Sequence, residues 1–302
     1  MTRIVRRTVD GVLLFDKPLQ LSSNIALQKV RRLFQAEKAG HTGTLDPLAT
    51  GLLPVCFGEA TKFTYSLLES DKTYRARIRL GQTTTTGDAE GDITRTCTVV
   101  LAPAQVSAVL RSFVGEIEQI PPMHSAIKYQ GKPLYEYIRK GETVARASRR
   151  VTLYELVLES FSANELEITV RCSKGTYIRT LAEDIGQALG CGAHLCGLRR
   201  TAIGRYRLQD AHSLSQLEAM TLPQRDACLS PLDSLLQELP ALELDAAQML
   251  RFTQGQRLAV EDGLADGKIR VYGAGQFLGV AILQGQRLAP DRLLSSVAKN
   301  AA

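Results

Sequence analysis

Over residues 72–80, apolar and polar side chains alternate without a break. Tyr74, Ala76, Ile78 and Leu80 stand against Thr73, Arg75, Arg77 and Arg79. A period of two places alternate side chains on opposite faces of an extended chain, so the segment reads as a strand with one apolar and one basic face. Such a strand requires partner strands and a layer over its apolar side. Other strands are expected at 11–15, running into the turn Asp16-Lys17-Pro18, and at 52–57, 151–161, 166–172 and 194–199. Helical spacing marks residues 24 to about 35, behind the caps Ser22 and Ser23, and again 60–68, 104–114 and about 180–189.

Composition adds the kind of partner. Of 302 residues, 44% are hydrophobic and 23% charged, which describes a globular chain; the net charge is +6 and the pI about 9.0. The excess is concentrated. Residues 124–150 hold Lys128, Lys132, Arg139, Lys140, Arg146, Arg149 and Arg150 against Glu136 and Glu142, seven minus two, or +5 of the +6. They follow the break at Pro121-Pro122 and are interleaved with Tyr129, Tyr135 and Tyr137. Cations for phosphates with aromatic faces for bases are what RNA contact needs. Leu134, Tyr137 and Ile138 also fit the buried stripe of a short helix, and both readings can hold together.

No apolar run approaches the ~18 residues of a membrane span, and the run after Arg3, Arg6 and Arg7 is too short for a signal-peptide core. A cytoplasmic protein is expected. Six scattered cysteines point to free thiols. Cys191, His194 and Cys196 cluster without a C-x-x-C pair or a near fourth ligand, so no zinc site is expected. Asp88, Glu90 and Asp92, within a Thr/Gly/Asp-rich loop over 83–96, lack calcium-loop spacing and read as turn residues. Proline, Asp and Gln accumulate over 221–240. Beyond Pro240 a short helix (246–252) and glycine-punctuated apolar runs (258–260, 269–272, 277–283) suggest a small β-barrel-like module.

Residues 39–51, Ala-Gly-His-Thr-Gly-Thr-Leu-Asp-Pro-Leu-Ala-Thr-Gly, carry three glycines and a proline and read as a loop presenting His41 and Asp46 on a framework. By spacing alone, Asp46-Pro47 reads as the start of a turn that Asp46 caps. The twelve residues 40–51, however, closely resemble the signature of the TruB family, the tRNA pseudouridine-55 synthases. Further segments resemble that family in order: Gly11 to Pro18 with Ser22-Ser23-Asn24, Lys72-Thr73-Tyr74, Ser125 to Gly131 with Leu134-Tyr135 (its RNA-gripping thumb), and Ser173 to Thr180. The similarity spans about 9–207. The C-terminal module is similar in size and texture to the family's PUA domain.

The resemblance implies that Asp46 is the catalytic carboxylate, that Tyr74 packs against the target base and that Arg179 pairs with Asp46. Tyr177 would line the pocket. His41 would help extract the uridine, and Lys17 and Pro18 would support the active-site loop. Lys128, Tyr129 and Lys132 would grip RNA. One position departs: the family usually has glycine where this chain has Gln20, which suggests a turn with unusual backbone angles. The implied reaction breaks the N1–C1′ bond, turns the base and joins C5 to C1′. Nothing is oxidised or lost, so no cofactor and no metal is required. One carboxylate could suffice, where glycosidases use two.

The resulting expectation is an α+β protein with a mixed, mostly antiparallel sheet and flanking helices. Residues 1–239 would form a pseudouridine synthase domain, with a thumb insertion at about 121–150, and 240–302 a β-rich PUA-like module. Its partner would be tRNA, through the T stem-loop, with uridine isomerised at position 55 by a monomer without a membrane. The alternatives are a non-catalytic tRNA-binding or folding protein, or a guide-RNA-dependent synthase of the same family.

Overall fold

A computed structural model describes residues 5–125, 127–138, 140–142, 144–261 and 263–295. Arg3, Ala126 and Arg139 lie outside the described residues, as does the side chain of Tyr135. The larger sheet is mixed and mostly antiparallel, as expected. In spatial order it runs His212–Ser213, Gly11–Lys17, Ala49–Phe57, Ala193–Ile203, Lys72–Leu80, Glu165–Cys172, Arg149–Ser162 and Gly115–Gln119. Only the contacts of Gly11–Lys17 with His212–Ser213 and of Ala49–Phe57 with Ala193–Ile203 are parallel along this path.

Two cores explain the strand patterns. Tyr74, Ala76, Ile78 and Leu80 point into the main core, beneath the helices Ser23–Leu33, Pro103–Ser112 and Ile178–Ala188. On the other face Arg75 and Arg79 meet Glu167 and Glu165 of the neighbouring strand at 2.7 and 2.8 Å. Strand Gly11–Lys17 is covered on both sides. Leu13 and Phe15 enter the main core, whereas Val12 and Leu14 enter a second core with Leu52, Phe63 and Leu67. A doubly covered strand reads as an unbroken apolar run, which is what Val12 to Phe15 is.

The C-terminal residues form a five-stranded sheet, in the order Ala241–Leu244, Gly267–Gly273, Gln276–Gln284, Arg287–Leu293 and Leu258–Ala259, with helix Ala246–Thr253. It docks through Phe277, 5.6 Å edge-on from Phe63, and through Lys62, whose Nζ donates to Leu293 O at 2.8 Å. Among the described residues no helix is long and apolar enough to cross a membrane.

Several expectations need correction. Residues 39–51 are not a loop throughout. Ala39–His41 is a strand antiparallel to Ala49–Phe57, and Ala49 to Gly51 begin the latter, leaving 42–48 as the loop. The glycines misled because Gly51 serves close strand approach. It has φ +102°, and a Cβ there would stand 2.3 Å from Arg200 O. The 83–96 loop contains a ribbon, Gln82–Thr84 against Ile93–Thr96. The 60–68 helix is a 3-10 turn, Gly58–Phe63, followed by a short helix, Tyr65–Glu69.

Candidate active site

The loop carrying Asp46 is fastened on every side. Helix Ser23–Leu33 starts at Ser22, whose hydroxyl accepts from Ile25 N, satisfying one free donor of the first turn. That places buried Ser23 under the loop, where its Oγ accepts from Leu45 N at 2.7 Å and donates to Leu45 O at 2.9 Å. Gln20 N donates to Pro47 O and Ala49 N to Asp46 O. Gln20 holds this contact at φ +65°, so the turn that the family usually builds with glycine is kept, in a left-handed conformation. Fully buried Lys17 bridges the same segment, donating from Nζ to Pro18 O at 2.9 Å and Leu21 O at 2.6 Å. Burial lowers its pKa to about 8, against the pull of Asp46 and Glu90.

Asp46 lies in a recess with 41% of its side chain exposed. Arg179, 7% exposed, brings Nη2 to 3.1 Å from Asp46 Oδ2. The same guanidinium puts Nη1 3.4 Å from Asp88 Oδ2 and donates to His124 O at 2.6 Å. Desolvation raises the Asp46 pKa. Arg179, Lys17 and His124 oppose the rise and Asp88 adds to it. Arg179 reaches the site because strand Glu165–Cys172 ends in the Ser173–Thr176 turn and helix Ile178–Ala188 starts at once, with Arg179 in its first turn.

Tyr177 precedes that helix. The buried Gln119 amide accepts from Tyr177 N at 2.9 Å and donates to Tyr177 O at 3.2 Å, tying the thumb root to the helix. Burial raises the Tyr177 pKa, opposed by Ser125, Arg149 and Arg179. Tyr74 is buried and its pKa is raised by desolvation, with the Arg200 guanidinium opposing. His41 is half-buried with Nδ1 unpartnered, and burial followed by Arg200 lowers its pKa.

The structure therefore gathers Lys17, Asp46 and Arg179 into one charged cluster with Tyr74 and Tyr177 beside Asp46, while His41 lies near Arg200. Lys128, Tyr129 and Lys132 stand apart. They form the exposed hairpin Lys128–Tyr129/Lys132–Pro133, ahead of helix Leu134–Ile138. Leu134 is buried there, as the alternative helix reading had it, while Tyr137 packs edge-on to Tyr129 at 5.7 Å.

Asp88, Arg200, Gln119 and His124 escaped the sequence reading. Asp88 does make a turn, its Oδ1 accepting from Glu90 N at 3.1 Å, but Oδ2 is left for Arg179. One of three acidic residues in a Thr/Gly/Asp-rich loop, Asp88 carries no local sign of such a distant partner. Arg200 is the second half of an Arg-Arg pair, and the alternation of strand Ala193–Ile203 could have flagged one of the two as inward-facing.

Comparison with known proteins shows the family. The profile "TruB family pseudouridylate synthase (N terminal domain)" matches residues 31–178. "tRNA pseudouridylate synthase B C-terminal domain" matches 179–237 and "Pseudouridine synthase II TruB, C-terminal" matches 240–294. A tRNA pseudouridine synthase B of Burkholderia mallei (strain ATCC 23344) is 56% identical over 299 residues, covering 97% of this chain and 96% of that protein. The chain belongs to the TruB family. A second relative of the same name, from Cupriavidus metallidurans, is also 56% identical with the same coverage. The TruB-family fold is shared with more distant proteins. A chain of the "Cbf5-Nop10-Gar1 Complex" crystal structure superposes with a TM-score of 0.71 at 25% identity, covering 94% of this chain and 84% of that one. A chain of an "H/ACA RNP bound to a substrate RNA containing 2'-deoxyuridine" gives the same score at 23% identity, a likeness of fold.

Chemically, the site offers the Asp46 carboxylate beside a fixed cation, with the phenols of buried Tyr74 and half-buried Tyr177 near it. The carboxylate can act as a nucleophile or charge stabiliser at an electron-poor carbon. The cation favours its ionised form where desolvation would protonate it.

Proposed function

We propose that this protein isomerises uridine to pseudouridine in tRNA, at position 55 of the T loop, with Asp46 as the catalytic carboxylate. The observation that carries this reading is the Asp46–Arg179 pair at 3.1 Å, set in a recess beside Tyr74. Arg179 keeps Asp46 ionised for attack on, or stabilisation of, C1′. Tyr74 packs against the base, Tyr177 lines the pocket, and His41 takes the place of the extracted uridine. The T stem-loop is held by the thumb, where Lys128, Lys132 and Lys140 are exposed and have no ion-pair partner among the described residues. Residues 1–239 serve as the catalytic unit and 240–302 as an RNA-binding module, in a cytoplasmic monomer. Extruding a base from a folded loop costs a few kcal/mol, which the thumb contacts and His41 offset.

The test uses unmodified tRNA transcript with tritium at C5 of uridine, with chelator and no added cofactor. Wild type releases tritium from one T-loop uridine, and Asp46→Asn releases none. Tight binding without release by wild type would overturn the enzymatic reading in favour of a binding or folding role.

A further inference from the structure

Arg200 is among the largest fully buried side chains of the chain, 1% exposed. Its guanidinium meets the Tyr74 hydroxyl and two backbone carbonyls: Nε donates to Leu52 O at 2.8 Å and Nη2 to Gly43 O at 3.3 Å. Among the described residues no carboxylate stands within ion-pair distance of it. The neighbouring arginines differ, since Arg179 has Asp46 and Asp88, and Arg199 has Asp16 at 2.7 Å. A buried charge without a counter-ion is costly, and arginine cannot escape the cost by losing its proton. Two carbonyl dipoles meet part of that demand. The rest of the field acts on whatever negative charge appears nearby.

Its position defines what that is. Arg200 lies directly opposite Tyr74 on the adjacent antiparallel strand, and opposed residues share a face of a sheet. The guanidinium thus sits on the face that carries the site, behind the Tyr74 phenol and under the loop at Gly43. Buried polar atoms of the two preceding residues, His41 Nδ1 and Thr42 Oγ1, have no hydrogen-bond partner. Charge counting points the same way. Asp46, Asp88 and Glu90 stand against Arg179 and Lys17, three negative charges against two positive, so without Arg200 the cluster repels a further anion.

Resting on the isomerase reading above, we infer that Arg200 is the counter-charge for the detached base. Across Tyr74 it stabilises the uracil anion formed when the N1–C1′ bond breaks. In that step the bonding electron pair leaves with the base and spreads over N1, O2 and O4, while Asp46 attends C1′. C5 then bonds to C1′, C5 loses its proton and N1 gains one, so composition is unchanged and no oxidant or reductant enters. Arg200 touches no reacting atom. It acts through Tyr74 and the Gly43 loop as a positioning and electrostatic residue. The charged and titratable groups around it are Tyr74, His41, Lys17 and Lys72, and its charge weighs on each.

The test compares single-turnover conversion and tRNA affinity for wild type, Arg200→Lys and Arg200→Gln. Arg200→Gln should lose on the order of 100-fold in rate, as removal of an electrostatic stabiliser does, with affinity changed less than about threefold. Arg200→Lys should stay within about tenfold of wild type at pH 7. It should also acquire a loss of rate with rising pH beyond the one wild type shows as Lys17 titrates, because a second buried ammonium gives up its proton. A transcript with 5-fluorouridine at the target, scored by chromatography of the product, supplies a readout that folding does not move. Fluorine stabilises the detached anion intrinsically, so the gap between wild type and Arg200→Gln should narrow at least about fivefold. An unchanged gap, or a rate for Arg200→Gln within about threefold of wild type, would overturn the inference. If Arg200→Gln does not fold, Arg200→Lys decides, and a wild-type pH profile there overturns it equally. A wild type that converts no uridine overturns the isomerase reading, and this inference with it.

Discussion

Arg179 reaches Asp88 with Nη1, 3.4 Å from Oδ2, while its other terminal nitrogen faces Asp46 at 3.1 Å. Asp88 therefore does two opposed things. It orients the guanidinium, and its negative charge raises the Asp46 pKa. Asp88→Asn should lower plateau turnover by about tenfold, as lost positioning does. It should also move the acid limb of the pH–rate profile to lower pH, because Asp46 then ionises more readily. A profile with its acid limb unmoved would remove Asp88 from the electrostatics of the site.

Arg179→Ala acts with the other sign. Burial raises the Asp46 pKa and Arg179 is the largest influence opposing it, so the acid limb should move to higher pH. Turnover should fall by 100-fold or more while tRNA affinity changes little, as expected for lost electrostatic stabilisation. Rate constants and filter-binding affinities measured together check this. Equal losses in both would make Arg179 an RNA contact and not the partner of Asp46.

Lys72 illustrates a pH effect on stability. Its ammonium is buried and donates to Leu67 O, Leu68 O and Ser70 O, closing the end of helix Tyr65–Glu69. Its folded pKa is about 8, against 10.5 for a free lysine. The unfolded chain therefore binds more protons between those values, and stability rises with pH across that window. Below pH 8 both states are protonated and the desolvation cost is present in full. The span is up to about 3 kcal/mol. Urea titrations of wild type and Lys72→Met should diverge in pH dependence between pH 8 and 10, with wild type gaining. Parallel curves would show that Lys72 keeps an ordinary pKa.

Gln20 at φ +65° bears a left-handed conformation that costs a non-glycine residue about 1–2 kcal/mol. Glycine would relieve that strain but carries more entropy in the unfolded chain. Gln20→Gly should thus stabilise the protein by at most about 1 kcal/mol and leave activity intact. Gln20→Val, branched at Cβ, should destabilise it by more than about 1 kcal/mol. Denaturant midpoints decide. A destabilised glycine variant would mean the Gln20 side chain contributes something its backbone geometry does not reveal.

What was legible in the sequence follows from the range of the interactions. The alternation of 72–80 and the continuous run at 12–15 record how many faces of each strand are covered, so periodicity was enough to find them. Strand Ala39–His41 was missed because its pairing with Ala49–Phe57 depends on register, not on its own composition. The fasteners of the site were missed for the same reason. Gln119 meets Tyr177 58 residues away, and Arg200 crosses to Gly43 over a separation of 157. Asp46, Tyr74 and Arg179 were named through resemblance to a family. Composition and spacing alone left Asp46 as a turn residue.

The thumb hairpin offers a final prediction because its charges are free of the fold. Arg150 has Glu116 at 3.6 Å and Arg146 donates to Pro121 O, so these cations have structural uses. Lys128, Lys132 and Lys140 are exposed on and just beyond a hairpin that Tyr137 steadies, its hydroxyl donating to Tyr129 O at 2.9 Å. Each phosphate contact releases condensed counterions, with a slope of about −0.7 per contact on single-stranded nucleic acid and about −0.9 on duplex. Replacing all three lysines with glutamine should flatten the dependence of log affinity on log salt by about 2 to 3. Thermal stability should be unchanged, since exposed cations contribute little to it. Titrations from 50 to 300 mM salt measure the slope. A slope equal to that of wild type would reduce the hairpin to a solvated surface and place the phosphate contacts elsewhere.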